Sequence, residues 1–498
     1  MCWVVGGLFT LLLGGIWIGK RDGTPRLLVS SVPAQEVKQT MPPTPRYTLQ
    51  DAWVQLDASL VEHWVNGETE VELDLLDMGR VKLMVTQREV VSERLVILIG
   101  HVKGQAQSRV TLSVAGAPNG DSFEAMAGTV TLESGRTFRI DYVGNKLHRL
   151  SEVSHEVADY CEPGPQSAGV LAGIEGEVIP LVYQRVGLKS APPSREHQTS
   201  GKDFALERML PHLRVRAATR SNGQRMVSRS WRVTLRLPRR MVGLPQVPAE
   251  SGVQIPPAVN QPIPSGAPSA PPSSVDSLDM LILYTQEAAR VRGGEAGVRA
   301  LAGLAVGHVN EAFQNSGVQA SLRLVAVEPW LHQSTGDIGG DVRAMALDTG
   351  IAALRARHNA DLVAGFVGGR AQGTVGVGSL LMNPAGQPQA CWSVVRAESV
   401  GAPFYTFAHE IGHNLGCNHA ADQGAGAGAF SYSHGWRFIG GNGQKYRTLL
   451  SYQRFPNERR IPYFSNPHLR YERAAVGATM ADNARTINQT VATVARYR

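Results

Sequence analysis

The stretch His-Glu-Ile-Gly-His-Asn-Leu-Gly-Cys-Asn-His, residues 409–419, constrains this chain more than any other feature. His409 and His413 are four residues apart, so on a helix their imidazoles lie on one face and can reach one ion. Gly416 can adopt the left-handed conformation that ends a helix, which lets His419 return to the same ion. Three imidazoles leave one position of a tetrahedral zinc site open for water. The stretch therefore predicts a catalytic Zn2+ site.

Glu410, beside the first histidine, can point at a metal-bound water. Zinc lowers the pKa of such a water to about 7, and Glu410 can take its proton. The alternative is a buried helix that merely contains three histidines. Burying three neutral imidazoles without a shared partner is costly, so the sequence favours a hydrolytic centre.

The pattern H-E-x-x-H-x-x-G-x-x-H resembles that of the metzincin metallopeptidases. The resemblance implies a zinc-dependent endopeptidase that acts on protein or peptide substrates, with His409, His413 and His419 as ligands. Glu410 would act as general base and pass the proton to the leaving amine. Residues 275–498 resemble the reprolysin-like branch in particular. Some bacterial relatives are described as cutting next to aspartate, a preference that requires a basic pocket.

Within residues 275–498, apolar runs alternate with segments of helical spacing. The order is strand, helix, strand, helix, strand, which predicts a mainly parallel sheet with right-handed crossovers. We therefore predict an α/β (α+β) metzincin catalytic domain with a mixed, mostly parallel sheet and an active-site helix. The predicted elements are residues 278–284, 296–315, 321–327, 341–357 and 360–366.

The glycine-containing run from Thr374 to Leu381 suits an edge strand. In the family, an extended peptide binds along such an edge by strand addition, in which main-chain hydrogen bonds supply affinity. The resemblance makes residues 376–380 the candidate edge. The alternative is an edge strand with no binding role.

Metzincins carry a methionine in a turn beneath the zinc, and this chain has Leu450 at that place. Exchange of leucine and methionine nearly conserves volume, so we expect activity to survive. Two residues on, Tyr452 could approach the zinc and stabilise an oxyanion, or could simply pack. His434 could be read as a fourth ligand, but three histidines already complete the set, so we predict a loop histidine.

Residues 47–155 alternate polar and apolar side chains between turn signals, which predicts a mainly β domain. No catalytic cluster occurs there. Its place ahead of the zinc domain resembles a reprolysin-like propeptide, so residues 45–165 are predicted to be a β-rich propeptide of a precursor, or zymogen. Cys161 could place a thiolate on the open zinc position as a cysteine switch, or could be a single thiol without that role.

Residues 166–274 are predicted to be a linker, basic at first and then rich in proline and serine. The formal net charge of +7 is unevenly spread, because residues 202–240 contain many arginines and only Asp203 and Glu207 as acids. A basic patch could bind nucleic acid or a membrane, but a solvated basic linker is the more ordinary reading. No nucleic-acid partner is expected.

Residues 1–30 are predicted to be a signal peptide or membrane anchor, because the apolar run 2–19 precedes Lys20 and Arg21. The run is near the lower length limit for a spanning helix. The protein is thus expected to be exported, either secreted or held at the cell envelope. It would contact a membrane only if this segment stays uncleaved.

Four cysteines give no disulfide framework. Cys391 and Cys417 both lie in the zinc domain, where an exported protein could join them in a disulfide or leave them as buried thiols.

Two other functions remain open from the sequence. One is a non-catalytic surface or adhesion protein that retains a metzincin zinc fold, since a fold does not fix a function. An intact Glu410 argues against it. The other is a zinc hydrolase that acts on a non-peptide bond.

Overall fold

The fold is that of a computed structural model. It describes residue 45, residues 47–116, 123–155, 276–369 and 374–498, and the backbone of strands 26–27, 30–31, 169–172 and 178–185. The described residues all belong to one compact unit, formed by residues 1–189 together with 272–498.

The N-terminal part forms one ten-stranded sheet with the order β1-β4-β5-β6-β7-β8-β9-β10-β3-β2. Its mainly β character agrees with the prediction. The elements are β1 Arg26–Leu27, β2 Ser30–Ser31, β3 Thr48–Gln55, α1 Ala58–Val65, β4 Glu70–Asp74, β5 Arg80–Ser92, β6 Leu95–Val102, β7 Arg109–Ala115, β8 Ala125–Thr131, β9 Thr137–Gly144 and β10 Leu147–Val153.

This sheet has a core of its own. Trp64 of α1 and Leu112, Phe138 and Leu150 of the strands are all at most 2% exposed and belong to one apolar cluster. The helix covers a face of the sheet that alternating strands leave apolar, which is the usual way a two-layer domain buries its core.

The predicted zinc domain is built on a seven-stranded sheet with the order β11-β12-β16-β17-β15-β13-β14. The predicted mixed α/β content is confirmed. The elements are β11 Gly169–Ala172, β12 Val178–Arg185, β13 Asp276–Tyr284, α2 Gln286–Val291, α3 Glu295–Ser316, β14 Ala320–Pro329, α4 Ile338–Leu347, α5 Thr349–Arg357, β15 Leu362–Val367, β16 Thr374–Ser379, β17 Trp392–Arg396, α6 Thr406–Asn414, β18 Arg437–Ile439, β19 Lys445–Arg447, β20 Arg459–Arg460, β21 Arg470–Tyr471, β22 Ala474–Ala475 and α7 Asn483–Val494.

Strands β17, β15, β13 and β14 pair in parallel, and β16 is antiparallel to β17. The central strands read as continuous apolar runs because helices cover both faces of a parallel sheet. Every residue of β15 is buried. On its other side β16 pairs antiparallel with β12. The run from Thr374 to Leu381, predicted to be an edge strand, therefore has a strand partner on each side, and α6 packs against it.

The structure differs from the predictions in two further places. The helix predicted over 341–357 is two helices, because the Asp348 side chain accepts hydrogen bonds from the N–H groups of Gly350 and Ile351 and so begins a new helix. Residues 166–274 were predicted to be a linker, basic at first and then rich in proline and serine. Within them, residues 169–172 and 178–185 form strands β11 and β12. Strand β11 pairs with β12, and β12 pairs with β16. Amino-acid composition does not reveal such a pairing with a distant strand.

Helix α3 lies between the two sheets, which explains why it is buried nearly all round. Glycines make the close approach possible. A Cβ at Gly303 would lie closer than 3.0 Å to Ser113 Oγ, and one at Gly307 would lie 2.9 Å from Thr111 Cγ2. Side chains at these two positions would push the N-terminal sheet away from the zinc domain.

A buried carboxylate links the two parts. Asp141 Oδ1 on β9 is 2.9 Å from an Arg139 guanidinium nitrogen and 2.6 Å from one of Arg292, which lies just after α2. Burial alone would raise the pKa of Asp141, but the two guanidiniums outweigh it and hold that pKa at about 2. Arg139 and Arg292 also donate to the carbonyl oxygens of Glu398 and Ala397. The cluster therefore joins the N-terminal sheet to the chain just ahead of α6.

Two buried histidines should make this assembly sensitive to acid. Burial lowers the pKa of His148 and of His308 to about 3, so both are neutral when folded. Between about pH 6.5 and about pH 3 the unfolded chain binds more protons, so stability falls as pH falls, by about 1.4 kcal/mol per pH unit for each histidine.

His148→Gln tests this expectation. His148 Nε2 accepts from the Met126 N–H at 3.1 Å, and a glutamine oxygen can accept that proton without titrating. We expect the free energy of unfolding, measured with denaturant, to fall between about pH 7 and about pH 5 in both proteins. In the variant the fall should be smaller than in the parent by about 1.4 kcal/mol per pH unit. His63→Gln, at an exposed position, should keep the parental pH dependence. A parental slope in His148→Gln would contradict the argument.

Candidate metal and catalytic centre

Helix α6 carries the first two histidines, and a glycine turn carries the third back. The helix ends at Asn414, and Gly416 follows with a φ of +89°. A Cβ at Gly416 would lie 2.6 Å from Ala429 Cβ, so both backbone conformation and space require glycine. The Cys417 N–H donates to Gly412 O at 2.9 Å and closes the turn.

The three imidazoles converge on one point. The Nε2 atoms of His409, His413 and His419 lie 3.1, 3.1 and 3.2 Å apart. Nitrogens at this separation can all lie about 2.0–2.1 Å from one zinc ion. These are also the residues that could hold a metal ion in the described part of the chain.

Backbone carbonyls fix the tautomers of two of these rings. His409 Nδ1 lies 2.7 Å from Leu449 O, and His413 Nδ1 lies 2.7 Å from Cys417 O. A carbonyl can only accept, so each Nδ1 carries the proton and each Nε2 offers a lone pair. Burial lowers the pKa of His413 to about 4 and those of His409 and His419 well below the ordinary value. Neutral imidazoles facing one another suit a cation.

Glu410 lies on the sheet side of α6, against strand β16. A Cβ at Gly376 would lie closer than 3.0 Å to Glu410 Oε1, and one at Gly378 would lie 3.0 Å from Oε2. The carboxylate is fully buried. The two glycines therefore leave the space that the carboxylate occupies between α6 and β16.

Asn414 is a site residue that the sequence analysis did not single out. Its Nδ2 lies 3.0–3.1 Å from the carbonyl oxygens of Ser379, Ala390 and Trp392. It therefore ties the last turn of α6 to β16 and β17. The alternation Val-Gly-Val-Gly at 375–378 was the available signal for the glycines, whereas a single asparagine gives no comparable signal.

Leu450 packs against helix α6 at Gly412. A Cβ at Gly412 would lie 2.7 Å from Leu450 Cδ2 and 3.0 Å from Phe464 Cε1. Leu450 is fully buried. The carbonyl oxygen of the preceding residue, Leu449, accepts the hydrogen bond from His409 Nδ1. The residue therefore supports the metal-binding turn by packing.

Leu450→Met should accordingly be nearly neutral. The exchange conserves volume and costs less than about 1.5 kcal/mol in a packed core. Thermal unfolding and the rate of peptide cleavage should both stay close to those of the parent. Leu450→Ala is the matched comparison and should cost about 2–5 kcal/mol through the cavity it leaves. Equal behaviour of the two variants would show that Leu450 does not pack as described.

Tyr452 lies beside the histidine cluster. Its ring centroid is 4.2 Å from that of His419 and 5.7 Å from that of His409. Its carbonyl oxygen accepts two hydrogen bonds, at 3.0 and 2.7 Å, from the Arg437 guanidinium. The structure thus places the tyrosine next to two of the candidate ligands.

Two more guanidiniums lie under this segment. Arg447 and Arg460 both donate to Ser451 O, at 2.8 and 3.1 Å. Both side chains are at most 2% exposed. The positive charge of Arg460 contributes, after burial, to the lowered pKa values of His409 and His419. Three guanidiniums thus lie beside the histidines, of which Arg437 is also paired with the carboxylates of Asp422 and Glu458.

His434 lies outside the histidine triangle. Its Nδ1 is 2.9 Å from His419 O, so the ring donates to the backbone of the third candidate ligand. Its position is that of a residue supporting the returning loop.

The disulfide considered for Cys391 and Cys417 is not formed. Both are buried free thiols, which is the other of the two alternatives that the sequence left open. Burial raises the pKa of Cys391 to about 11 and that of Cys417 well above the ordinary value. Cys417 Sγ donates to Asn483 O at 3.6 Å, which ties the turn to α7. Cys161, the candidate switch residue, lies outside the described residues.

The predicted export segment 1–30 also lies outside the described residues, apart from the backbone of β1 and one residue of β2. Across the ranges that the structure does describe, no helix is long and apolar enough to cross a membrane.

Three histidines on a helix and the turn after it, with a buried glutamate against an antiparallel strand, form a metallopeptidase-type site. Residues 276–465 match the model of a reprolysin family, described as metallo-peptidase family M12. These residues are a reprolysin-like metallopeptidase domain, and the metzincin resemblance is confirmed.

Curated relatives carry one name. Proteins called peptidyl-Asp metalloendopeptidase are 27% identical over 233 residues in Stenotrophomonas maltophilia (45% of this chain, 53% of that protein) and 29% identical over 238 residues in Xanthomonas campestris pv. campestris (47% and 54%). The chain spans about half the length of these relatives. A solved structure described as a chaperone-substrate complex aligns with a TM-score of 0.37 and 21% identity, over 45% of this chain and 36% of that one.

Proposed function

We propose that this chain is a zinc-dependent endopeptidase in which Glu410 is the general base. The convergence of three Nε2 atoms carries the proposal, and the buried Glu410 carboxylate follows His409 directly on the same helix. His409, His413 and His419 would bind the zinc. When bound, zinc supplies a Lewis acid for the scissile carbonyl and a water of lowered pKa.

The side chains around the centre have distinct tasks in this proposal. Glu410 accepts the proton of the attacking water and then delivers it to the nitrogen of the leaving amine. Its burial between α6 and β16 excludes bulk water and aims the carboxylate. Tyr452, against His419 at 4.2 Å between ring centroids, would donate to the oxyanion that develops on the substrate carbonyl.

We also propose a preference for substrates with an acidic residue near the scissile bond. Three guanidiniums, those of Arg437, Arg447 and Arg460, lie around the Ser451–Tyr452 segment beside the histidines. A buried cation attracts a nearby carboxylate much more strongly than an exposed one does. The name of the curated relatives points in the same direction.

The proposal includes export as a precursor, with residues 45–165 as propeptide. The apolar run 2–19 supports export. The separate β sheet of the N-terminal part and its packing on α3 support a region that folds with the peptidase domain. Cleavage in the proline-rich stretch before residue 275 would separate the two.

Removal of the metal tests the central claim. Limited trypsin digestion in the linker should yield a protein that cleaves quenched fluorescent peptides, and a chelator should abolish cleavage. Added zinc should restore it. A peptide with aspartate at the scissile bond should be cleaved about tenfold or more faster than its asparagine analogue, since one desolvated charge interaction is worth at least about 1.4 kcal/mol. Stoichiometric zinc without cleavage of any peptide would instead favour a non-catalytic protein or a hydrolase of another bond.

A further inference from the structure

The edge strand of the zinc-domain sheet is covered by another segment of the same chain. Strand β12 pairs antiparallel with β16, with Leu181 opposite Ser379 and Arg185 opposite Thr374. On its other side, β16 pairs with β17. Strand β16 therefore has a strand partner on each side, and β11 in turn pairs with β12 to complete the sheet.

The register of this pairing centres on the candidate general base. Val182 lies opposite Gly378, and Gln184 lies opposite Gly376. These are the two glycines whose missing side chains make room for the Glu410 carboxylate. Strand β12 thus follows the part of the edge at which an extended peptide would come within reach of Glu410.

We propose that β12, residues 178–185, is an autoinhibitory strand that occupies the substrate-binding edge of the peptidase domain. The inference rests on the proposed endopeptidase function. A peptide substrate that adds to β16 needs the same main-chain N–H and C=O groups that β12 uses, so the two exclude each other. Because β12 is part of the chain, its effective concentration at the edge is roughly millimolar, and a dilute substrate does not displace it.

The full-length chain with a weakened β12 tests this. Proline lacks the N–H that a strand ladder uses and disrupts pairing. Val182→Pro/Gln184→Pro should raise the peptidase activity of the uncleaved precursor by roughly tenfold or more. Intact mass confirms that the chain is uncleaved. Ser269→Pro, in the proline-rich stretch 241–274, is the matched control and should leave the precursor latent. Equal, low activity in both variants would overturn the proposal.

Hydrogen exchange gives a readout that does not depend on activity. In a Glu410→Gln background, which prevents self-cleavage, the amides of residues 374–379 should exchange slowly in the parent and faster in the double proline variant. The amides of α3 should be unchanged and thereby report that the variant is folded. Unchanged protection of residues 374–379 would show that β12 does not cover this edge.

A cross-link decides the matter if the proline variant also loses protection in α3. Tyr183 lies opposite Val377, so Tyr183→Cys/Val377→Cys should form a bridge that holds β12 in place. After trypsin digestion in the linker, the bridged protein should cleave peptides only once a reductant is added. Activity equal to that of digested wild type without reductant would overturn the proposal. Absence of chelator-sensitive activity in digested wild type would instead refute the proposed function.

Discussion

Glu410→Gln should lower kcat/KM for peptide cleavage by about 10²–10⁴-fold, the usual contribution of a positioned general base, while the protein still binds one equivalent of zinc. Glutamine has nearly the shape of glutamate, so it fits the space left by Gly376 and Gly378. It cannot accept the proton of the attacking water. None of the atoms that converge as ligands belongs to Glu410, so the loss should fall on the chemistry and spare the metal.

The measurement pairs steady-state cleavage with zinc content by elemental analysis, on protein matured by the same limited digestion. Glu295→Gln is a matched control in the same domain, because Glu295 is exposed and pairs with Arg299 at the surface. Exposed pairs of this kind contribute at most about 1 kcal/mol. His419→Gln should lose zinc as well as activity. Full activity in Glu410→Gln would remove the glutamate from the mechanism, and loss of zinc would show that it shapes the metal site.

The motif 409–419 predicts its own geometry because the offsets between its residues are local. A four-residue step on a helix and a glycine turn bring three imidazoles together in the structure as the spacing indicates. The alternation of strands and helices likewise predicts the mixed α/β content, because the hydrophobic periodicity of each element can be recognised within about ten residues.

Contacts between residues that are far apart in the chain could not be predicted from the sequence. The position of the Glu410 carboxylate depends on Gly376 and Gly378, about thirty residues earlier in the chain. It also depends on Asn414, whose side chain donates a hydrogen bond to Ser379 O and so joins α6 to β16. Strand β12 is nearly two hundred residues from β16, and a short apolar run carries no information about which edge it joins. The free state of Cys391 and Cys417 is also a property of tertiary placement.

Asp141→Asn should be the most destabilising single change of charge in the contact between the N-terminal sheet and the zinc domain, with a cost of about 3–5 kcal/mol. The carboxylate lies between the guanidiniums of Arg139 and Arg292, and both arginine side chains are less than 10% exposed. Asparagine keeps the shape but leaves two buried positive charges without their counter-ion. Repulsion between them then acts across the contact.

Asp74→Asn is the matched control for Asp141→Asn, because it removes a carboxylate from an exposed ion pair. Asp74 pairs with Arg80 at 3.3 Å, and these side chains are 36% and 49% exposed, so solvent screens the pair and its loss should cost at most about 1 kcal/mol. Urea unfolding of full-length protein in the Glu410→Gln background measures both costs without self-cleavage.

Because the folded pKa of Asp141 is about 2, below the value of about 3.9 for an unfolded aspartate, its contribution is present above about pH 4 and is lost as the pH falls through about 2. The difference between Asp141→Asn and parent should therefore shrink in strong acid. Equal costs for the two substitutions near neutral pH would mean that the buried cluster does not hold the sheet and the peptidase domain together.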